Sequence, residues 1–358
     1  MGRVFVEAVD KQYPIYIEKD FSGLKEAWVD NDLVGRKVCV VTDKNVSPIY
    51  LRQIVDLFED SAIVVLPSGE QVKNLTSVST LYNAFLTNRL DRTSVVVALG
   101  GGVVGDLAGF AAATYMRGIP YVQIPTTLLA QVDSSIGGKT GVDFEGEKNL
   151  VGAFYQPEFV WVNTATLSSL PYEQFSSGMA EVIKHGLIYD AGYYQQIWEK
   201  REDIKRLCPQ ALSQVIAGSC RIKAAVVAQD TKEAGVRRIL NFGHTFGHAI
   251  ESFLDFSVLH GHCVAIGMMA ALYCSQKLGK ITLEELQHAA GLLDFFGLPL
   301  TIKNLDKEDI YHKMFADKKT KNNQLHFILL NAVGEAYVEN KLHKDQVLEG
   351  IVSCMASL

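Results

Sequence analysis

The stretch Ser94–Phe110, "SVVVALGGGVVGDLAGF", sets a β-branched apolar run directly before a glycine-rich turn and a helix-forming segment. A short run apolar at every position is the pattern of a strand buried on both faces of a parallel sheet. The glycines of Gly100-x-Gly102-x-x-Gly105 let backbone approach a pyrophosphate, and the following helix N-terminus favours its charge. A purely structural tight turn is the alternative. The usual dinucleotide arrangement also places an acid about 20 positions on, at the end of the next strand. Here that strand ends "IPTT" (Ile124–Thr127), without one. Asp43 ends the earlier strand "VCVVTD", where it would take a ribose hydroxyl or cap a helix.

Outward from this unit the first half alternates in the same way. "RVFVEAV" and "YPIYIE" read as a hairpin; "KVCVVT", "SAIVVLP", "YVQIPTT" and "EFVWVN" read as buried strands. "SPIYLRQIVDLFED" and "VKNLTSVSTLYNAFLTNRL" are amphipathic helix candidates between them. Alternating β and α predicts a doubly wound, Rossmann-like α/β domain with ligands at the carboxyl ends of its strands. After about Leu170 the periodicity moves close to 3.6, so residues 171–358 read as mostly helical, with one late hairpin in "QLHFILLNAVGEAYVEN". No repeat or low-complexity linker separates the halves. The expectation is an α/β domain over 1–170, a helical domain over 171–358, and a tight cleft between them.

Composition is that of an ordinary globular chain: 48% apolar and 21% charged, with net charge −6, which disfavours nucleic acid and anionic membranes as partners. No run reads as the roughly 18 apolar residues of a membrane helix. "MGRVFVEAVD" has neither a secretion nor a myristoylation pattern, so a cytoplasmic location is expected. The six cysteines form no C-x-x-C pair and several lie in apolar runs, as buried reduced thiols do.

Any metal must therefore be held by histidines and carboxylates. "MAEVIKHG" carries Glu181, Lys184 and His185; "RIKAAVV" carries Lys223 in an apolar helical stretch; "EAGVRRILNFGHTFGHAIE" carries Glu233, Arg237, Asn241, His244 and His248; "VLHGHCVAIGMM" carries His260 and His262. Several imidazoles plus a carboxylate suit a divalent cation such as zinc with one position open. Because no Glu stands between His244 and His248 in the peptidase pattern, a metalloprotease is disfavoured. At i and i+4 the two histidines share a helix face; they would ligate one ion together, divide the work, or simply pack. "DSSIGGKTGVD" is not a P-loop, since Asp133 takes the place of the first glycine. Lys139, Lys148 and Asn149 instead suggest an anion site on a glycine-rich loop, against the plainer reading of solvated lysines. The residues alone thus describe a metal- and nicotinamide-dependent enzyme for an anionic, hydroxylated small molecule.

"SGEQVK", "ALGGGVVGDLAGFAAATYMRGI", "QIPTTLLAQVDSSIGGKTGVD", "EKNLVGAFYQP", "GMAEVIKHG", "RRILNFGHTFGHAIE", "LHGHCVAIGM" and "DKKTKNNQLHFILL", in this order, resemble the 3-dehydroquinate synthase family over essentially the whole chain. The resemblance implies the dehydroquinate synthase-like fold and a carbon–oxygen lyase in the shikimate route, a phosphate-eliminating cyclase acting on 3-deoxy-D-arabino-heptulosonate 7-phosphate. The chemistry it implies is transient oxidation by NAD, phosphate loss, re-reduction and intramolecular aldol closure. NAD would lie against Asp43 and Asn45, the turn Ser68, Gly69, Glu70, Gln71, Val72 and Lys73, and the loop Gly101, Gly102, Val103, Val104, Gly105 and Asp106. Thr126, Thr127, Lys139, Lys148, Thr166, Leu167, Ser168 and Ser169 would complete that set.

The same resemblance implies a divalent metal, zinc or alternatively cobalt, on Glu181, His244 and His260, with His260 rather than His262 as third ligand. Substrate contacts would be Arg117, Asp133, Lys139, Asn149, Lys184, Lys223, Arg237, Asn241, His248 and Lys318 or Lys319. Among these, Lys139 and Arg117 would hold the phosphate, Arg117 from the other subunit of a homodimer. Lys223 and Arg237 would hold the carboxylate, and His248 would move protons. Asn241, His244 and His248 would share one helical face. The rivals are another sugar phosphate cyclase, an iron-type polyol dehydrogenase with Asp in place of Glu181, and a catalytically dead NAD-binding protein. Lys223, Asn241 and His248 together resemble the dehydroquinate-forming type.

Overall fold

The computed structural model of the protein describes residues 2–9, 11–231, 233, 235–303, 305–316 and 325–355. The chain packs as two units: residues 1–170 with 212–231, and residues 171–211 with 232–358.

The first unit is built on strands β1 (Gly2–Glu7), β2 (Gln12–Glu18), β3 (Val38–Asp43), β4 (Ala62–Leu66), β5 (Val95–Gly100), β6 (Tyr121–Pro125), β7 (Lys139–Phe144), β8 (Glu147–Phe154) and β9 (Val160–Asn163). Its helices are α1 (Leu24–Asp30), α2 (Ser47–Val55), α3 (Leu75–Thr87) and α4 (Gly102–Thr114). Seven strands form one sheet in the order β1-β2-β9-β6-β5-β3-β4. β1 runs antiparallel to β2, and the other neighbours are all parallel. Successive side chains on a strand point to opposite faces. Val38, Val40, Val95, Val97 and Leu99 accordingly join Leu24, Trp28 and Ile54 in one core, while Cys39, Val41, Val96 and Ala98 join Leu81, Phe85, Leu107 and Ala111 in another. Both faces are covered, which is why these strands read as unbroken apolar runs.

The "KTGVD…EKNLVG" segment, expected to be a loop, is instead the antiparallel hairpin β7–β8. Its two-residue connection, Glu145 (φ 50°) and Gly146 (φ 80°), has the positive-φ pair that matches the twist of a hairpin. The exposed positions of β8 include Glu147, Asn149 and Gly152, residue types that hide strand character.

The second unit contains α5 (Tyr172–Tyr189), α6 (Ala191–Glu199) and α7 (Arg201–Lys205), after which α8 (Pro209–Gln229) leads back into the first unit. Then come α9 (His244–Phe253), α10 (His260–Lys277), α11 (Leu283–Phe295), α12 (Lys307–Ala316), the hairpin β10 (Phe327–Ala332) and β11 (Glu335–Glu339), and α13 (Lys344–Ser353). A single break at 170/171 therefore does not describe the packing, since residues 212–231 belong with the first unit. The composition of α8 explains this, because it is apolar enough to need cover. It also corrects the membrane reading. By length and composition α8 is a helix that could span a bilayer, but about two thirds of its apolar stretch is buried inside the protein, as in the core helix of a globular protein.

Candidate functional site

In the first unit the chain leaves β3 toward β4 on one side and leaves β5 toward β6 on the other. Such a reversal opens a crevice at the carboxyl ends of the two strands, the usual ligand site of open α/β sheets. Cys39 pairs with Val96 and Val41 with Ala98, so the same register brings Asp43 level with Gly100. Gly101 caps α4 with extended backbone and no side chain bonds the helix's first turn. The first N–H groups of a 13-residue helix thus remain available to an anion. The glycines also permit close packing: a Cβ on Gly105 would lie 2.8 Å from Gln123 Oε1, and one on Gly109 would lie 2.5 Å from Thr140 Cγ2. Val104 is buried in the core and so offers a ligand only its backbone.

The side chains around this crevice divide into occupied and available groups. Asp43 Oδ1 accepts from the Asn45 and Val46 amides at 2.7 and 3.1 Å and from Ser68 Oγ at 3.2 Å. It thereby stabilises its own turn, while Oδ2 takes part in none of these bonds. Thr42 and Thr126, buried at the ends of β3 and β6, have hydroxyls with no hydrogen-bond partner. Buried hydroxyls at strand ends cost stability unless something bonds them, and the hydroxyl-rich ribose of a dinucleotide fits that need. Thr127 Oγ1 accepts from the Ala130 amide at 3.2 Å.

Lys73 donates to Asn149 Oδ1 at 2.5 Å and pairs with Asp106 Oδ2 at 2.6 Å. Burial opposes its charge, but Asp106, Glu70 and Asp143 outweigh burial and hold the Lys73 pKa above the ordinary lysine value. Gln71 turns its amide to the Ser68 carbonyl at 3.0 Å. Lys148 is half-buried and Lys139 exposed, both on the β7–β8 hairpin. Arg117 is exposed and follows Met116 at positive φ (68° and 50°). Lys223 of α8 donates to the main-chain and side-chain oxygens of Asp133 at 2.6 and 2.5 Å, so these two expected substrate contacts meet each other. Asp133 lies in a one-turn π-helix, Ala130–Ser134, an insertion common at functional sites.

Sequence reading missed Gln131 of that turn. It is fully buried, and its Nε2 contacts the Pro125 and Asn163 carbonyls and Thr166 Oγ1 at 3.0–3.3 Å. One amide thus ties the end of β6 to the Thr164–Ser169 turn that holds Thr166, buried Leu167 and exposed Ser168. Ser169 reaches the Tyr50 hydroxyl at 2.7 Å. A lone Gln in "LLAQVD" carries no signal that would single it out.

In the second unit three imidazoles converge. His244, His248 and His260 each offer a ligand atom within 4.8 Å of the others, with ring centroids 5.1–5.7 Å apart. Glycines permit it. A Cβ on Gly267 would fall 2.0 Å from the Gly243 carbonyl, and one on Gly247 would lie 2.9 Å from the Cys263 carbonyl, so α9 and α10 cross almost backbone to backbone. Gly243 also takes a left-handed φ of 77°, turning the chain into α9. That turn corrects the expectation of one continuous face. Asn241 belongs to a separate 3₁₀ segment, Val236–Asn241, and donates to Glu233 Oε1 at 2.7 Å.

Glu181, 1% exposed on α5, places Oε1 3.7 Å from His244 Nε2 and pairs through Oε2 with Lys184. Neither of its oxygens has a conventional hydrogen bond. His244 Nδ1 contacts the Phe242 carbonyl at 3.1 Å, which fixes the tautomer whose Nε2 carries the lone pair. His260 Nδ1 in turn faces Glu251 Oε2 at 3.4 Å. A buried carboxylate oxygen without a hydrogen bond, beside imidazoles already bonded through Nδ1, fits a divalent cation with N/O ligands. His262 stands apart from this group, and burial lowers its pKa. Arg237 is buried in the same unit. Lys318 and Lys319 lie outside the described residues.

The sequence profile of the 3-dehydroquinate synthase N-terminal domain matches residues 63–177 and that of the C-terminal domain matches 178–320. A 3-dehydroquinate synthase of Ruminiclostridium cellulolyticum is 45% identical over 357 residues, 98% of this chain and 99% of that one. Among solved structures, a 2-deoxy-scyllo-inosose synthase complexed with carbaglucose-6-phosphate, NAD+ and Co2+ superposes with TM-score 0.86 at 27% identity, covering 98% and 99% of the two chains. ValA, a 2-epi-5-epi-valiolone synthase from Streptomyces hygroscopicus with NAD+ and Zn2+ bound, gives 0.88 at 24% identity over 98% of each chain, a likeness of fold. The two profiles together span residues 63–320 and the sequence identity runs nearly the length of the chain, and the chain belongs to the 3-dehydroquinate synthase family.

Proposed function

We propose that the chain converts 3-deoxy-D-arabino-heptulosonate 7-phosphate to 3-dehydroquinate and phosphate, using NAD and a divalent metal, zinc first and cobalt second. The observation that carries this reading is Glu181 aimed at His244 beside His260, in a chain 45% identical end to end to a relative of that name. When bound, NAD supplies reversible hydride acceptance and the metal supplies polarisation of a substrate hydroxyl.

Everything else falls to the chain's own residues. Glu181, His244 and His260 would hold the metal, and the Phe242 carbonyl and Glu251 carboxylate orient the two imidazoles. The amides of Gly102 and Val103 would take the pyrophosphate, and Asp43 a ribose hydroxyl. Arg237 has the planar fork that grips a carboxylate at two points. Lys223, which donates to two Asp133 oxygens, would serve the substrate carboxylate. Lys139 and the exposed Arg117 suit the phosphate, Arg117 from a partner subunit of a homodimer. His248 would accept and return protons at a ring nitrogen. A phosphorylated substrate, made and kept inside cells, supports a cytoplasmic location.

A second assignment within the site rests on one observation. The ring nitrogens of His244, His248 and His260 all lie within 4.8 Å of one another, which would make His248 a ligand instead of the proton carrier. The substrate reading is tested by incubating protein with the heptulosonate phosphate and sub-stoichiometric NAD. Phosphate release far beyond the NAD supplied, without NADH build-up, supports it; NADH formed mole for mole with simple polyols would replace it with a dehydrogenase.

A further inference from the structure

We infer that Glu251 is a positioning residue of the metal centre, holding His260 so that its Nε2 faces the ion. The inference rests on the metal set proposed above and extends it by one residue.

Glu251 is 3% exposed near the end of α9, an expensive place for a carboxylate unless a polar partner meets it. The partner is specific: its Oε2 stands 3.4 Å from Nδ1 of His260, the first residue of α10. A neutral imidazole that donates through Nδ1 keeps its Nε2 lone pair for a cation, and a carboxylate acceptor raises the basicity of that nitrogen. His244 reaches the same tautomer through the Phe242 carbonyl. The two imidazoles are thus oriented by different acceptors, one main-chain and one side-chain. Only the side-chain acceptor can be removed by substitution.

Periodicity agrees. His244, His248 and Glu251 are spaced i, i+4 and i+7, which puts them on one stripe of α9. That stripe faces α10, where backbone contact at Gly247 leaves no room for a longer reach. Glu251 on α9 thus meets the imidazole of a residue on the neighbouring helix.

The test measures Zn2+ affinity by chelator competition, and the visible spectrum of the Co2+-loaded protein, for the full chain and for Glu251→Gln, Glu251→Ala, His260→Ala and the Glu251→Gln/His260→Ala double variant. Loss of an outer-shell carboxylate lowers metal affinity about 10–100-fold. Glu251→Ala should show that loss with a shifted Co2+ spectrum. Glu251→Gln, nearly isosteric and still able to accept from Nδ1, should show a smaller loss and carries the test if the alanine variant does not fold. In the His260→Ala background, Glu251→Gln should cost nothing further. Wild-type affinity and spectrum in both Glu251 variants overturn the inference, as does an equal loss from Glu251→Gln with and without His260. If His260→Ala loses the metal while the Glu251 variants keep it, this inference alone falls. If the wild-type chain binds no metal, the ligand set of the proposed function falls with it.

Discussion

His244 turns Nε2 to within 3.7 Å of the Glu181 carboxylate, so an imidazole from one helix and a buried acid from another address the same point. Lys184 pairs with the same carboxylate through Oε2. The arrangement suits a cation: a carboxylate oxygen and an imidazole nitrogen turned to one point, with His260 beside them.

His248 decides between the two assignments. If it carries protons, His248→Ala should retain stoichiometric metal while turnover falls by about 10²–10⁴-fold, the usual range for losing a general acid–base group. If it ligates, metal content falls together with turnover. Metal analysis beside kcat on the same preparation separates them.

Gly243→Ala should be among the most damaging small substitutions. The residue sits at φ 77°, and a Cβ there would lie 2.8 Å from the Met268 amide nitrogen and 2.9 Å from the Val264 carbonyl. Left-handed backbone alone costs about 1–2 kcal/mol for a residue with a Cβ, and overpacking adds roughly 1–3 kcal/mol. Denaturant unfolding should show a loss of at least ~2 kcal/mol together with weakened metal binding. An unchanged midpoint would mean that α9 and α10 do not pack as described.

Lys73 supplies a pH signature. Its folded pKa is raised, mainly by Asp106 and Glu70 against the opposing effect of burial. A raised lysine contributes stability that is fully present below its unfolded pKa, near 10.5, and is lost as pH climbs through the folded value. Lys73→Met should therefore be less stable than wild type by a constant margin between pH 7 and about 10, and the margin should shrink above that. A margin that grows with alkali contradicts the pairing.

The thiols should be inert in the native protein. Burial pushes Cys39, Cys220, Cys274 and Cys354 up to about 12, which leaves a thiolate fraction of about 10⁻⁴ at pH 8. Cys263 is equally buried, and Cys208 alone is half exposed. Titration with a thiol reagent should count one fast cysteine folded and six in denaturant; several fast thiols in the native state would refute this core.

Much of this was legible in the residues. The parallel sheet announced itself because β3, β5 and β6 are buried on both faces and so apolar at every position. The histidines stood out because imidazoles cluster rarely without a task. What stayed hidden has physical reasons. The β7–β8 hairpin is made of glycines and charges that only a positive-φ turn at Glu145–Gly146 organises. Lys223 and Asp133 meet across ninety residues of chain, a pairing that no local pattern encodes. Asn241 left the expected face because Gly243 adopts left-handed backbone, which "NFGHTF" permits but does not demand. Gln131 and Glu251 act through hydrogen bonds to other elements, and those appear only once the chain has folded.

The most direct measurement is the product itself. Purified protein, loaded with Zn2+ or Co2+ and given 3-deoxy-D-arabino-heptulosonate 7-phosphate with catalytic NAD, should yield 3-dehydroquinate by NMR and mass, with one phosphate released per molecule and no net NADH. A different carbocycle made instead from a hexose or heptose phosphate, or stoichiometric NADH without phosphate release, would contradict the proposed activity.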